Sequence, residues 1–305
     1  MLFAFILGSI VAAAQAVAGP APAIFAPGVI SGPAGDGSPS FTPDGKTLFF
    51  TRSGASAETI MESHLVSGSW TIPEIAPFSG TWNDEHAVVA PDGTYLVFVS
   101  SRPIPGTQKK AAHLYRVDRT GDGWGTPLEL PAAVNIGPYV FAPSVGPDGT
   151  IYFLSIGSGR TFQLYSSTFW GGAYQTAAPL SFSSPATADV DPAIARDGSF
   201  MIFASSGRRT SDDKQEHLFV VYRENSGWGT PVPMHYDGES AASNDNEPDI
   251  APDGHTLYFS SDRSLPVSFP RTRVQAEADL ARIESWDNGN TNAWSIPLGT
   301  WLHHG

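Results

Sequence analysis

Apolar residues in this chain come in short runs, not in helical stripes. Thr47-Leu-Phe-Phe-Thr51, Tyr95-Leu-Val-Phe-Val99, Ile151-Tyr-Phe-Leu154, Phe200-Met-Ile-Phe203 and Thr256-Leu-Tyr-Phe259 are four or five residues each. Runs of that length, bounded by turn residues, read as buried strands. An Asp-Gly pair precedes every one, in Pro43-Asp44-Gly45, Pro91-Asp92-Gly93, Pro147-Asp148-Gly149, Arg196-Asp197-Gly198 and Pro252-Asp253-Gly254. Asp-Gly between apolar runs is a strong hairpin signal, because glycine accepts the positive φ of a tight turn. The five aspartates lie 48, 56, 49 and 56 residues apart, and a period near fifty marks a repeat architecture.

The rest of each unit follows the same order. A short strand precedes the turn, as in Ser38–Thr42 and Glu247–Ala251. A third strand is read at His113–Val117, Gln163–Tyr165, His217–Val220 and Asp279–Ile283. A fourth opens on an aromatic with Pro three residues later: Trp70 and Pro73, Trp124 and Pro127, Trp228 and Pro231, Trp294 and Pro297. Tyr174 takes the aromatic place in the third repeat, without that Pro. Proline suits an outermost strand, where the lost donor faces solvent. Four short strands repeated five times predict an all-β fold, a five-bladed β-propeller of four-stranded antiparallel blades. The blades fall at about 36–80, 84–135, 140–185, 189–240 and 245–301 in one domain over 19–305. Ile24–Ile30 also reads as an outer strand that would close the last blade, so six outer-strand candidates compete for five places.

Pro252 to Ser261, a Pro-Asp-Gly turn followed by Leu-Tyr-Phe-Ser-Ser, resembles the TolB-like, WD-like propeller repeat. The likeness runs over about residues 36–300. It implies the propeller fold and leaves function open, since relatives of this kind include periplasmic Tol-system proteins, peptidase lid domains and polysaccharide-lyase relatives.

Composition narrows the setting. The chain has 305 residues, 31 Gly, 26 Pro and only 15% charged residues, which suits strands joined by tight turns. Its formal charge of −13 disfavours nucleic acid as a partner. Residues 1–18, MLFAFILGSIVAAAQAVA, read as a cleaved secretory signal with small-residue cleavage sites, although no Lys or Arg precedes the apolar run; the alternative is a short hydrophobic anchor. A periplasmic or secreted protein is therefore expected, a monomer without a membrane span after cleavage. Its partner would be an envelope or extracellular protein or a glycan. The chain has no Cys, which removes disulfides, thiolate metal sites and a Cys nucleophile.

Candidate chemistry emerges by counting back from each turn Asp. Eight residues before it stand Asp36, Asp84, Asp189 and Asp245, with Val140 in the third repeat; six before it stand Ser38, His86, Ala142, Asp191 and Glu247. Residues two apart on a strand share a side, so both registers are expected to form an acidic ring around one mouth of the central channel. Arg102 and Arg263, with Arg52 and Arg208, close the second strands at the same mouth and offer the aspartates in-blade partners. The residues that break the repeat, His86, Asp191 and Glu247, are the sharper candidates. The full ligand-binding set is Asp36, Asp84, His86, Asp189, Asp191, Asp245, Glu247, Arg102 and Arg263. No cofactor is expected; Ca²⁺, which takes six to eight oxygens at about 2.3–2.6 Å, is the metal such a ring would suit. His113 and His217 share a register and read as strand caps.

No Gly-x-Ser-x-Gly, His-Glu-x-x-His or phosphate-loop motif occurs. The sequence therefore points to a non-catalytic propeller binding a protein or small ligand at an acidic channel mouth. The alternative is a carbohydrate-active enzyme, a glycoside hydrolase or polysaccharide lyase, using Asp84, Asp191 and Glu247 as channel carboxylates.

Overall fold

The computed structural model describes residues 19–104, 111–121, 123–156, 161–210 and 213–302. The leader read at 1–18 and the tail histidines His303 and His304 lie outside them. Five antiparallel sheets surround a central channel, each with its first strand innermost. Blade 1 runs through Gly35–Phe41, Thr47–Ser53, Glu58–Val66 and Glu74–Ile75. Blade 2 uses Asp84–Val89, Tyr95–Ser100, His113–Thr120 and Leu128–Glu129. Blade 3 uses Val140–Val145, Ile151–Ile156, Phe162–Ser167 and Ala178–Pro179. Blade 4 uses Ala188–Ile194, Phe200–Ser206, His217–Glu224 and Val232–Pro233. Among the described residues no helix is long and apolar enough to cross a membrane.

The second strand of each blade is the apolar run, and it is buried on both faces. Phe49, Phe98, Phe153, Phe203 and Phe259 have no exposed surface. Blade-to-blade packing explains why these strands are continuously apolar where a half-solvated strand would alternate. The repeated aromatics staple the seams. Trp124 meets Phe49 of blade 1 edge-on at 5.7 Å, and Trp228 meets Tyr152 of blade 3 at 6.2 Å. Each sits in a two-residue ribbon against the outer end of its third strand, and the fourth strand proper begins four or five residues later.

The last blade departs from the sequence reading. Asp279–Ile283 is not its third strand but lies within a helix, Arg273–Ser285. The segment is rich in Ala, Glu, Arg and Leu, strong helix formers, whereas the true third strands carry aromatics and β-branched residues. A capping box between Thr272 and Gln275 starts the helix. The third strand of blade 5 is Asn292–Pro297, the segment read as an outer strand. Trp294 is buried there against Trp286 and is no counterpart of the seam aromatics. The fourth strand comes from the other end of the chain, Ala23–Ile24, paired with Trp294 and Ser295. Beside it Phe25 packs on Phe41, Trp70 and Tyr258, tying blade 5 to blade 1. Six candidates shared five places because one of them was a third strand.

Candidate ligand site at the channel mouth

One backbone feature repeats in every blade and places the site. The first strand loses register with the second between Gly37 and Ser40, Glu85 and Val88, Phe141 and Ser144, Val190 and Ala193, and Asn246 and Asp249. Inside each bulge one non-glycine residue has positive φ: Ser38 49°, His86 50°, Ala142 46°, Asp191 53° and Glu247 47°. A bulge re-aims a side chain, and a left-handed non-glycine residue costs about 1–3 kcal/mol. The period of two is therefore broken, and the two registers do not point alike. The inner register faces the channel, while the outer one turns into the blade.

The outer register forms buried clamps. Asp36, Asp84, Asp189 and Asp245 have no exposed surface. Arg52 pairs with Asp36 at 2.6 Å, Arg102 with Asp84 at 3.3 Å, Arg208 with Asp189 at 2.6 Å and Arg263 with Asp245 at 2.6 Å. The arginines stack on core aromatics, Arg102 on Phe98 and Arg263 on Phe259. Burial raises the pKa of Asp36 and Asp84, and their arginines pull the other way. These pairs join strand one to strand two within each blade, and Val140 has no need of one. His113 bridges Glu129 at 2.6 Å and the Gly137 carbonyl at 2.9 Å, and His217 contacts Asp213 at 3.1 Å, so both histidines tie down the entry to a third strand.

The inner register converges. His86 Nε2 lies 3.0 Å from Glu247 Oε1, and its Nδ1 lies 3.1 Å from Glu85 Oε2. Glu247 Oε2 accepts from the Ser38 amide at 2.8 Å and the Ser260 hydroxyl at 2.5 Å. Asp191 Oδ2 accepts from the Glu247 amide at 3.2 Å, and Thr51 Oγ1 from the His86 amide at 3.0 Å. The bulge frees these amides from the ladder, and the preceding blade supplies each acceptor. Gly37 permits the arrangement, since a Cβ there would stand 2.5 Å from Glu247 Oε2.

Electrostatics then separate the groups. Burial opposes charge on His86, but Glu247 and Glu85 on its two sides hold its pKa well above the ordinary value. Burial likewise opposes charge on Glu247, but His86 and the Ser260 and Ser38 donors draw it down to about 2. Burial pushes Asp191 up to about 7 against the pull of His86.

The channel opens into a polar cleft of about 750 Å³ on the same side, bordered by Glu58, Glu85, His86, Glu247, Asp262 and Asn290. Glu58 is pushed up to about 7 by burial and by Glu85, with which it shares a hydrogen bond. Burial raises Glu216 too, with Glu247 and Asp262 adding to it. Among the described residues no Lys or Arg lines the cleft or the channel at the level of His86, Asp191 and Glu247. Among the described residues no group of three His, Cys, Asp or Glu is placed to hold a metal ion.

Glu58, Glu85, Glu216 and Asp262 were not singled out in the sequence. Asp262 carried a signal, since Ser261-Asp262-Arg263 replaces the Ser100-Ser101-Arg102 of blade 2. Glu58 and Glu216 begin or precede third strands, where nothing in the repeat marks them.

Among solved structures the chain is similar to a putative TolB from Agrobacterium tumefaciens, at 18% identity and TM-score 0.49, over 87% of this chain and 91% of that one. A thermostable family-43 glycoside hydrolase aligns at 12% identity and TM-score 0.50, over 75% and 83%. TolB from Acinetobacter baumannii aligns at 22% identity and TM-score 0.44, over 67% of this chain and 45% of that one, so the chain spans less than half of that protein. In class, then, this is a five-bladed β-propeller. No protein-family model and no curated protein matches the sequence. At these identities the likeness concerns the fold, and the chemistry rests on the site.

Proposed function

We propose that this is a non-catalytic, exported propeller that binds a protein or small ligand through a cationic group at the acidic channel mouth. One observation carries the reading: Glu58, Glu85, Glu247 and Asp262 border one opening, with Asp191 just inside it and His86 the cation among them. The clamp aspartates each have an arginine, and among the described residues the mouth carboxylates do not. Rigid blades presenting loops around a charged opening suit recognition, and concentrated negative potential raises the encounter rate of a cationic partner. Export rests on the leader at 1–18.

A second reading, carbohydrate chemistry, draws on the separation of Asp191 from Glu247, because an acid–base pair needs proton affinities pushed apart. Against it, both Glu247 oxygens are engaged and Asp191 holds the Glu247 amide. The channel at their level has only about 30 Å³ of room, too little for a sugar ring.

Calorimetric titration with cationic peptides, neutral glycans and Ca²⁺ tests the proposal. Cationic peptides should bind, more weakly as salt rises, and Asp191→Ala with Glu247→Ala should abolish the interaction. Unchanged affinity in that variant overturns the site, and turnover of a polysaccharide favours the second reading.

A further inference from the structure

The mouth reading says that the ligand is cationic, and the channel behind the mouth says more about which cation. Three observations bear on it. The first is an orphaned hydroxyl. Ser38 is 8% exposed, lines the channel, and its Oγ has no hydrogen-bond partner. A buried hydroxyl without a partner is uncommon and calls for a reason. The second is Asp191, which lines the same space. One of its oxygens takes the Glu247 amide, and no Arg or Lys among the described residues pairs with it. Burial raises its proton affinity against the pull of the nearby His86, and among the described residues none of its oxygens is bonded to a cationic side chain.

The third is that the channel is blind. Arg196 stands where the other four turns have Pro. Its Nη1 donates to the Pro91 carbonyl at 3.2 Å and its Nη2 to the Phe41 carbonyl at 3.4 Å. Arg196 belongs to blade 4, and its acceptors belong to blades 1 and 2, which are not its neighbours. The guanidinium therefore crosses the axis at the turn-side end. Burial pushes Asp249, a further carboxyl of the channel, up to about 8 while Arg196 pulls the other way, so that group already has a cation nearby.

We infer that the channel is a seat for one primary ammonium group, carried at the end of a ligand that enters from the acidic mouth, with Ser38 and Asp191 as its acceptors. The inference rests on the mouth reading and names the ligand class within it. The room of about 30 Å³ holds a group the size of one or two waters. An ammonium is that compact and offers three donors, whereas a guanidinium is a wider planar fork. Because Arg196 closes the far end, the seat receives a terminus or a lysine side chain and cannot thread a polymer.

The test is a calorimetric titration of the purified protein with n-hexylammonium and with trimethylhexylammonium, which has the same charge and tail but no N–H. Hexylammonium should bind far more tightly. Asp191→Asn should weaken it by about 10- to 100-fold, the scale of a hydrogen bond to a charged group. Ser38→Ala should weaken it by about 3- to 10-fold, the scale of one neutral hydrogen bond. Ser38→Ala should leave Tm unchanged, because its Oγ bonds nothing in the protein. Equal affinity for the two amines, or no effect of Ser38→Ala, overturns the seat. Cationic peptides that bind and respond to Glu247→Gln, Glu58→Gln and Asp262→Asn but not to Asp191→Asn would overturn the seat while the mouth reading stands. Absence of binding by any cation would overturn both.

Discussion

Gly37→Ala reports directly on how the mouth is built. Elsewhere such a substitution stabilises by about 0.4–1 kcal/mol, because alanine restricts the unfolded chain. Gly37 does not have positive φ, so its backbone alone does not oppose alanine. The added Cβ, however, would stand 2.5 Å from Glu247 Oε2 and 2.8 Å from Ser260 Oγ. Those two oxygens are the acceptors of the Ser38 amide, at 2.8 and 2.9 Å. Moving both leaves a buried amide unpaired, at about 1–3 kcal/mol, and overpacking adds about 1–3 kcal/mol. After the entropic gain the net loss is about 1–6 kcal/mol, or from a few to about 20 °C in Tm for a domain this large. Thermal unfolding followed by circular dichroism measures it. The displaced Glu247 should also release His86, so the imidazole pKa read by NMR should fall. A variant as stable as the parent or more so, with His86 unmoved, would refute the inter-blade placement of Glu247.

Other perturbations address other layers. Arg263→Met strands the fully buried Asp245 carboxylate and should cost about 3–5 kcal/mol in urea unfolding. Arg273→Ala, whose side chain is 91% exposed, should change stability by less than about 0.5 kcal/mol. Phe25→Ala removes three aromatic contacts at the closure seam and should cost about 2–4 kcal/mol, read as a shift in urea midpoint. The pH dependence of Tm follows from the channel groups. Asp191 and Glu58 near 7 and Asp249 near 8 are raised carboxyls, so their contribution to stability is full at low pH and is lost as pH rises through those values. His86, raised, acts in the same direction. Glu247, lowered to about 2, contributes above about pH 4.5 and loses that contribution as pH falls toward 2. These carboxyls are deprotonated in the unfolded chain above about pH 4, so the unliganded protein should lose Tm as pH rises from about 4 to about 8, and Asp191→Asn should lose less; a flat profile in both contradicts these placements.

Much of the fold was legible in the sequence because it is set by local chemistry. Each Asp-Gly turn fixes a hairpin, and each apolar run fixes a strand buried on both sides. The last blade was misread where a non-local choice intervened. Trp294 and Pro297 have the spacing of an outer strand, yet the N-terminal strand Ala23–Ile24 takes the outer place and shifts Asn292–Pro297 inward. The site was half legible. His86, Asp191 and Glu247 stood out by breaking the repeat, and the channel brings them together. Asp36, Asp84, Asp189 and Asp245 shared their strands and were grouped with them, because a bulge is invisible to a period-two argument. Asp262 and Arg196 also break the repeat, one at a strand end and one in a turn, where substitution by a polar residue is common and carries little signal.

The most direct measurement of the central claim is the affinity of a lysine-rich peptide for the protein and for Asp262→Lys, a charge reversal at the cleft edge away from the Asp–Arg clamps. An acidic mouth that binds cations predicts saturable binding whose strength falls with salt and drops at least about tenfold on reversal, the scale of one juxtaposed like charge. Equal affinity for the two proteins, at low and at high salt, would contradict it.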